Sequence, residues 1–154
     1  MGKLLPNINL LEIALKDFTS FGGLVLYAIF GLVFYFAGYK EMVLRMFIGL
    51  MLMYLFISPL RLIFFTKRPV PEKHANLLEK IDAGSFPSMH ATRTTFLAMQ
   101  LSIFFKDVYL TVLFFLIVTI TCYSRIHLRR HHPRDIYVGV ILGFLIHLIV
   151  NSIL

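Results

Sequence analysis

A histidine and an aspartate four residues apart form the first arrangement in this sequence that could do chemistry. His131 and Asp135 lie on one face if the segment is helical, and Pro133 suits the first turn of such a helix. A carboxylate that accepts the Nδ1 proton of an imidazole fixes its tautomer and leaves Nε2 free to attack an electrophile. The pair alone is also explained by a plain acidic residue at a helix start beside a surface histidine.

Three arginines could bind a phosphate. Arg61 and Arg68 are seven residues apart, about two helical turns, so they can share a face if the helix persists that far. Arg125 directly follows an apolar run. A guanidinium binds phosphate oxygens bidentately and stays charged at any relevant pH. The alternative is that these side chains extend to lipid headgroups, or simply mark the end of a membrane span.

A serine and a second histidine stand at the start of a later apolar segment. Ser88 is a predicted N-cap, and the free backbone amides at that helix start would form an anion site with its hydroxyl. His90 falls in the first turn of the same helix. A histidine in a first turn without any chemical role remains the alternative.

Long apolar runs separate these polar groups. Hydrophobic residues make up 58% of the 154 residues, whereas a soluble domain has roughly 45–50%. We therefore predict one all-α membrane domain over 1–154, a polytopic helical bundle. The expected elements are an interfacial amphipathic helix over 7–18, about five transmembrane helices over 22–39, 43–65, 88–105, 108–123 and 135 to the C-terminus, and a short surface helix over 72–82.

Alternation of the spans brings the polar groups together. The end of the second span, the start of the third, the end of the fourth and the start of the fifth must share one side of the membrane. Independent contacts with headgroups do not predict two histidines, a carboxylate and several cations at adjoining helix ends. Nucleic acid is an unlikely partner despite the net charge of +7, because the basic residues lie between apolar spans. No cleavable signal peptide is expected.

The same residues form three motifs that resemble the type 2 phosphatidic acid phosphatase superfamily, which includes membrane lipid phosphatases. The family patterns K-x6-RP, PSGH and SR-x5-H-x3-D correspond to RLIFFTKRP over 61–69, PSMH over 87–90 and SRIHLRRHHPRD over 124–135. The third motif matches fully in spacing. Arg61 replaces the lysine of the first motif, and Met89 replaces the glycine of the second. These substitutions bear on phosphate placement, rate and substrate range more than on the reaction class.

The resemblance implies a role for each matching residue. His131 attacks phosphorus and forms a phosphohistidine, Asp135 orients it, and His90 protonates the leaving oxygen and then activates water. The phosphoryl oxygens are expected to be held by Arg61, Arg68, Ser88, the backbone amide of Met89, and Arg125. No metal and no cofactor is expected, because the arginines would supply the charge that Mg²⁺ supplies elsewhere.

The resemblance implies an enzyme that hydrolyses a lipid phosphate or diphosphate monoester in a bilayer. A lipid phosphotransferase with the same site and a non-enzymatic lipid-phosphate binder or transporter are the alternatives. The oligomeric state is open. Twelve of the 15 Lys and Arg residues fall on the predicted active side, which by the positive-inside rule would be cytoplasmic. Phosphate binding accounts for several of them, so the rule does not decide the orientation. The resemblance to bacterial relatives, many of which face outward, leads us to expect the site on the outward face of the cell (inner) membrane.

Overall fold

The computed structural model describes residues 10–70 and 75–154, apart from the side chains of residues 77, 78 and 80. Within those ranges every regular element is helical, which confirms the all-α prediction. The elements are α1 (Leu10–Thr19), a 3₁₀ turn (Ser20–Gly22), α2 (Leu24–Phe36), α3 (Lys40–Ile63), α4 (Leu77–Ala83), α5 (Met89–Phe105), α6 (Val108–His127) and α7 (Pro133–Ile153).

Three of the described helices, α3, α6 and α7, are long and apolar enough to cross a membrane. The segment Leu10–Gly22 and α2 are bent by 52° and would together make a fourth span. The predicted third span corresponds to α5, which has only 17 residues and carries Arg93 and Gln100. Both side chains are buried. The protein is therefore a membrane bundle in which a short, polar helix is enclosed by its neighbours.

The two predicted surface helices are only partly testable. Of the amphipathic helix predicted over 7–18, residues 7–9 lie outside the described residues, and α1 covers the rest with Leu15 buried. Of the helix predicted over 72–82, residues 72–74 lie outside the described residues, and α4 begins at Leu77.

The short helix α5 lies at the centre of the bundle and packs chiefly against α6 and α7. Two of its three threonines bond their hydroxyl groups to backbone carbonyls one turn earlier: Thr92 donates to the Ser88 carbonyl at 3.0 Å, and Thr94 donates to the His90 carbonyl at 2.8 Å. The hydroxyl of Thr95 is buried without a partner among the described residues. Phe96, also on α5, is fully buried in the apolar core. The two threonine bonds lower the cost of placing a polar helix in the interior of a membrane protein.

Helix α7 approaches α5 through a face of small residues. Gly139 and Gly143 follow Asp135 at intervals of four, so all three lie on one side of the helix. A Cβ on Gly139 would stand 2.7 Å from the Ser88 carbonyl oxygen, and one on Gly143 would stand 2.6 Å from that of Thr92. The Ser88 amide also donates to the Asp135 carbonyl at 3.0 Å. The close packing therefore fixes Asp135 beside the start of α5.

Three loops meet at this end of the bundle and are joined by backbone hydrogen bonds. The Ser85 amide donates to the Thr66 carbonyl at 2.8 Å, and the Val70 amide donates to the Arg129 carbonyl at 3.3 Å. The loops after α3, before α5 and before α7 thus support one another. The four helix ends that carry the motifs share one end of the bundle, as the alternation of spans predicts.

Candidate active site

The loop between α6 and α7 folds back on the end of α6 and buries His131. The amides of Arg130 and His131 both donate to the Arg125 carbonyl, at 3.0 and 3.2 Å. Arg129 takes a left-handed conformation, with φ of 53°, to make this turn. His131 is consequently only 2% exposed. The loop therefore places His131 against the end of α6 that carries Arg125.

The tautomer of His131 follows from its hydrogen bond. Nδ1 lies 2.8 Å from the carbonyl oxygen of Ser85. Because a carbonyl oxygen only accepts, Nδ1 must carry the proton, and Nε2 keeps its lone pair. The expected direct bond from Nδ1 to Asp135 is not formed, since the nearer carboxylate oxygen is 4.0 Å away. The backbone of Ser85 thus performs the orienting role that the sequence assigned to the carboxylate.

Asp135 is fully buried and its carboxylate serves other donors. Oδ2 accepts from the His132 amide at 2.8 Å and from the hydroxyl group of Ser85. The first of these bonds caps the N-terminus of α7 and explains why the carboxylate is turned away from Nδ1. Asp135 therefore fixes Ser85 through its hydroxyl, and Ser85 fixes His131 through its carbonyl. The carboxylate also places a negative charge close to the imidazole.

The environment of His131 favours its neutral form. Burial lowers the pKa of His131, and the guanidinium groups of Arg125 and Arg68 lower it further, to about 3. The hydrogen bond to the Ser85 carbonyl acts in the opposite direction but is outweighed. Near neutral pH the imidazole is therefore uncharged, with Nε2 available as a nucleophile.

A cleft of about 440 Å³ opens beside this histidine. Its lining consists of Lys16, Thr19, Arg68, Asp82, His90, Arg125, Leu128 and Arg130. Three of the predicted site residues are therefore on its wall: Arg68, His90 and Arg125. His131 is not itself among the lining residues, but its amide donates to the Arg125 carbonyl and it follows Arg130 in the chain, and both of these arginines line the cleft.

Helix α1 closes one side of the cleft, a contribution that the sequence did not reveal. The hydroxyl oxygen of Thr19 accepts from Nη1 of Arg125 and from the Ser124 hydroxyl, both at 3.2 Å. These bonds hold Arg125, which is 7% exposed, in its orientation. A hydroxyl partner more than a hundred positions away in the sequence leaves no spacing signal.

Arg61 lies elsewhere than the motif led us to expect. Its side chain is buried and does not line the cleft. Nη2 and Nε donate to the Pro87 carbonyl at 3.0 and 3.4 Å, and Nη1 donates to the Ile81 carbonyl at 3.0 Å. The guanidinium therefore holds the loop before α5 in place by hydrogen bonds on the side away from the cleft.

Ser88 and Met89 also stand behind the cleft wall. Ser88 is fully buried, and its hydroxyl accepts from the Ala91 amide at 3.4 Å, which confirms the predicted N-cap. The Met89 side chain is 6% exposed and belongs to the apolar core. The methionine that replaces the family's glycine therefore points away from the cleft. Within 10–70 and 75–154, no three His, Cys, Asp or Glu side chains are grouped so as to hold a metal ion.

Two comparisons with known proteins gave a match. The PAP2 superfamily model matches residues 42–154. The crystal structure of Aquifex aeolicus LpxE is similar to this chain, with 26% sequence identity and a TM-score of 0.75, covering 96% of this chain and 88% of that one. No curated protein sequence matches the chain.

Proposed function

Because the chain belongs to the PAP2 superfamily, we propose that it is a membrane phosphatase that hydrolyses a lipid phosphate or diphosphate monoester through a phosphohistidine. One observation carries this proposal. His131 has its Nδ1 proton bound to the Ser85 carbonyl and lies beside a cleft lined by His90 and two guanidiniums. We treat 1–154 as one catalytic domain.

In the first step, Nε2 of His131 attacks phosphorus, and the bond from phosphorus to the lipid oxygen breaks. His90, protonated once the anionic phosphate of the substrate is bound beside it, gives this proton to the departing oxygen. The imidazole becomes cationic as the P–N bond forms, and the nearby Asp135 carboxylate and the Ser85 carbonyl stabilise it. Arg68 and Arg125 bind the equatorial oxygens, on which the transition-state charge is spread.

In the second step, water replaces the histidine on phosphorus. His90, now neutral, accepts a proton from the water as its oxygen attacks, and the P–N bond breaks. Orthophosphate leaves, and His131 returns to its neutral form with the proton still on Nδ1. Each turnover thus consumes one water, and both histidines end in their starting protonation states.

Arginines and the helix α5 amides supply the positive charge in this scheme, so we propose that no metal is required. A guanidinium keeps its charge at any relevant pH and matches the planar geometry of phosphoryl oxygens. Three of the predicted phosphate-binding residues do not line the cleft, namely Ser88, Met89 and Arg61. We assign to them the role of holding the start of α5 and its preceding loop in place. They are therefore positioning residues, and of the three we propose that the backbone amide of Met89 also donates to the phosphate.

The alternatives differ in what accepts the phosphoryl group. A lipid phosphotransferase would use the same phosphohistidine and pass the group to a second lipid in place of water. A non-enzymatic binder or transporter would need the cations but not an imidazole with a fixed tautomer. We favour hydrolysis on the outward face of the cell membrane. The orientation is tested with Arg130→Cys in a Cys122→Ala background. A membrane-impermeant maleimide should label this variant in intact cells if the site faces outward.

The activity is tested with the full chain purified in detergent in the presence of EDTA. Phosphate release is measured over a panel of lipid monophosphates and diphosphates, with His131→Gln as the inactive variant and Lys106→Met, at the opposite end of the bundle, as the matched control. We expect release by the protein and the control, and none by His131→Gln. Loss of activity in EDTA would contradict metal independence. Release by His131→Gln would overturn the nucleophile.

A further inference from the structure

Two cations on the cleft wall remain unused by the mechanism above. We propose that Lys16 and Arg130 form a second phosphate subsite at the mouth of the cleft, so that the preferred substrate is a lipid diphosphate. This rests on the proposed function and names its substrate class. The subsite would hold the phosphate that stays on the lipid while the terminal phosphoryl group reacts with His131.

The burial of the lining residues separates an inner set from an outer set. Arg125 is buried, and Arg68 and His90 are partly buried. Lys16 and Arg130 line the same cleft but are exposed, so they stand at its opening. A substrate whose terminal phosphate enters the buried part of the cleft would therefore leave its remaining headgroup at the opening, beside Lys16 and Arg130.

The fold fixes the position of Lys16, and its ammonium has no polar partner among the residues that the structure describes. Helix α1 is fixed by the buried Leu15 and by the bonds of Thr19 to Arg125 and Ser124. Within the described residues, the Lys16 ammonium makes no hydrogen bond or ion pair. Its charge is therefore available to a ligand at the mouth.

The charge of the lining suits a diphosphate better than a monophosphate. Four cationic side chains face one carboxylate, that of Asp82. A phosphate monoester carries about two negative charges near neutral pH, and a terminal diphosphate carries about one more. The additional cations would be superfluous for a monophosphate ester, whereas they balance the second phosphate of a diphosphate.

The same subsite would assist the reaction itself. When Nε2 of His131 attacks the terminal phosphorus, the bond to the bridging oxygen breaks, and the electron pair stays on that oxygen. The leaving group is then a lipid monophosphate, whose growing charge Lys16 and Arg130 would stabilise. Water releases orthophosphate from the histidine as before. The products are one lipid monophosphate and one orthophosphate for each water consumed.

The test compares dodecyl phosphate with dodecyl diphosphate, which differ only in the second phosphate. kcat/KM is measured for the full chain, for Lys16→Met, and for Lys16→Arg. Lys67→Met is the matched control, because Lys67 is exposed on the same side but does not line the cleft. We expect Lys16→Met to lower kcat/KM for the diphosphate about tenfold, the size of a hydrogen bond to a charged group. The monophosphate should change by less than about twofold.

Recovery in Lys16→Arg and no change in Lys67→Met are also expected. Competitive inhibition by inorganic diphosphate, relative to orthophosphate, gives a second readout that does not depend on the lipid tail, and it should weaken in Lys16→Met. Equal losses for both lipids, or unchanged selectivity, would overturn the subsite while the phosphatase proposal stands. Failure of the unaltered protein to hydrolyse either lipid, with no differential inhibition, would overturn both.

Discussion

The carbonyl oxygen of Ser85 accepts the Nδ1 proton of His131 at 2.8 Å, while the hydroxyl of the same serine donates to Asp135. Ser85 therefore stands between the two residues that the third motif pairs. The backbone contact sets the tautomer, and the side-chain contact ties the carboxylate to it. A motif based on sequence spacing cannot separate these two functions, but substitutions can.

Substitution of Ser85 and Asp135 should give losses of different size. Ser85→Ala keeps the carbonyl that binds Nδ1 and loses only the link to Asp135, so kcat should fall about tenfold, as for other supporting contacts. Asp135→Asn removes the charge that balances the cationic phosphohistidine, and kcat should fall by about 10³ or more. Steady-state kinetics on one lipid phosphate would measure both. Equal losses would mean that Asp135 acts only through Ser85.

The titration of His131 provides a prediction for pH. Its pKa is about 3 in the folded protein, against an ordinary value of 6.5. At pH values between these two pKa values, the imidazole is protonated in the unfolded chain but not in the folded protein. His131 therefore destabilises the folded protein increasingly as pH falls below its ordinary pKa, and it has no such effect at higher pH. The thermal midpoint of His131→Gln should thus fall less than that of the unaltered protein on acidification from about pH 7 to about pH 4.

A direct check is available from ¹⁵N NMR of histidine-labelled protein, in which the resonances missing from His131→Gln assign the ring. Nδ1 should appear protonated and Nε2 unprotonated from about pH 7 down to about pH 4. A transition with a midpoint near the ordinary histidine pKa would show that the guanidiniums and burial do not control this group.

The first motif offers a third prediction, because Arg61 occupies the position of the family's lysine. A lysine at 61 could not bridge the Pro87 and Ile81 carbonyls as the forked guanidinium does. Arg61→Lys should therefore lower the free energy of unfolding by about 1–3 kcal/mol, the cost of leaving buried acceptors unpaired. Thermal unfolding in detergent measures this. An unchanged thermal midpoint together with a raised KM would indicate direct phosphate binding instead.

Much of the fold could be predicted because membrane insertion simplifies the sequence pattern. Long apolar runs located α3, α6 and α7 within a few residues, and alternation placed the motif-bearing ends on one side. The third span was predicted over 88–105 and is observed as α5 over Met89–Phe105, and its short length is tolerated because a helix shielded by other helices does not need the apolar length of a lipid-facing span. The hydroxyls of Thr92 and Thr94 bond to backbone carbonyls four residues earlier, which no hydropathy pattern shows.

The site was predicted less completely, for physical reasons. Arg68, His90 and Arg125 line one cleft, as the alternation of the spans suggested. Because α3 ends at Ile63, Arg68 does not share a helix face with Arg61. The role of the Ser85 carbonyl could not be foreseen, because any residue carries that group. Thr19 was missed because it contacts Arg125 only through the docking of α1. Sequence spacing identifies side chains on one helix, but it does not identify which donors a buried carboxylate or guanidinium will actually meet.

The packing of α7 against α5 gives a final prediction. A Cβ on Gly143 would lie 2.6 Å from the Thr92 carbonyl oxygen, which is backbone and cannot rotate away. Gly143→Ala should thus push the helices apart, at a cost of about 1–3 kcal/mol, and reduce activity because α7 carries Asp135. Gly31→Ala in α2 is the control, since nothing lies within 4 Å of its Cβ position. There alanine should leave the thermal midpoint unchanged or raise it, since it is the better helix former. Equal thermal midpoints for the two variants would mean that close contact between α5 and α7 does not hold the site together.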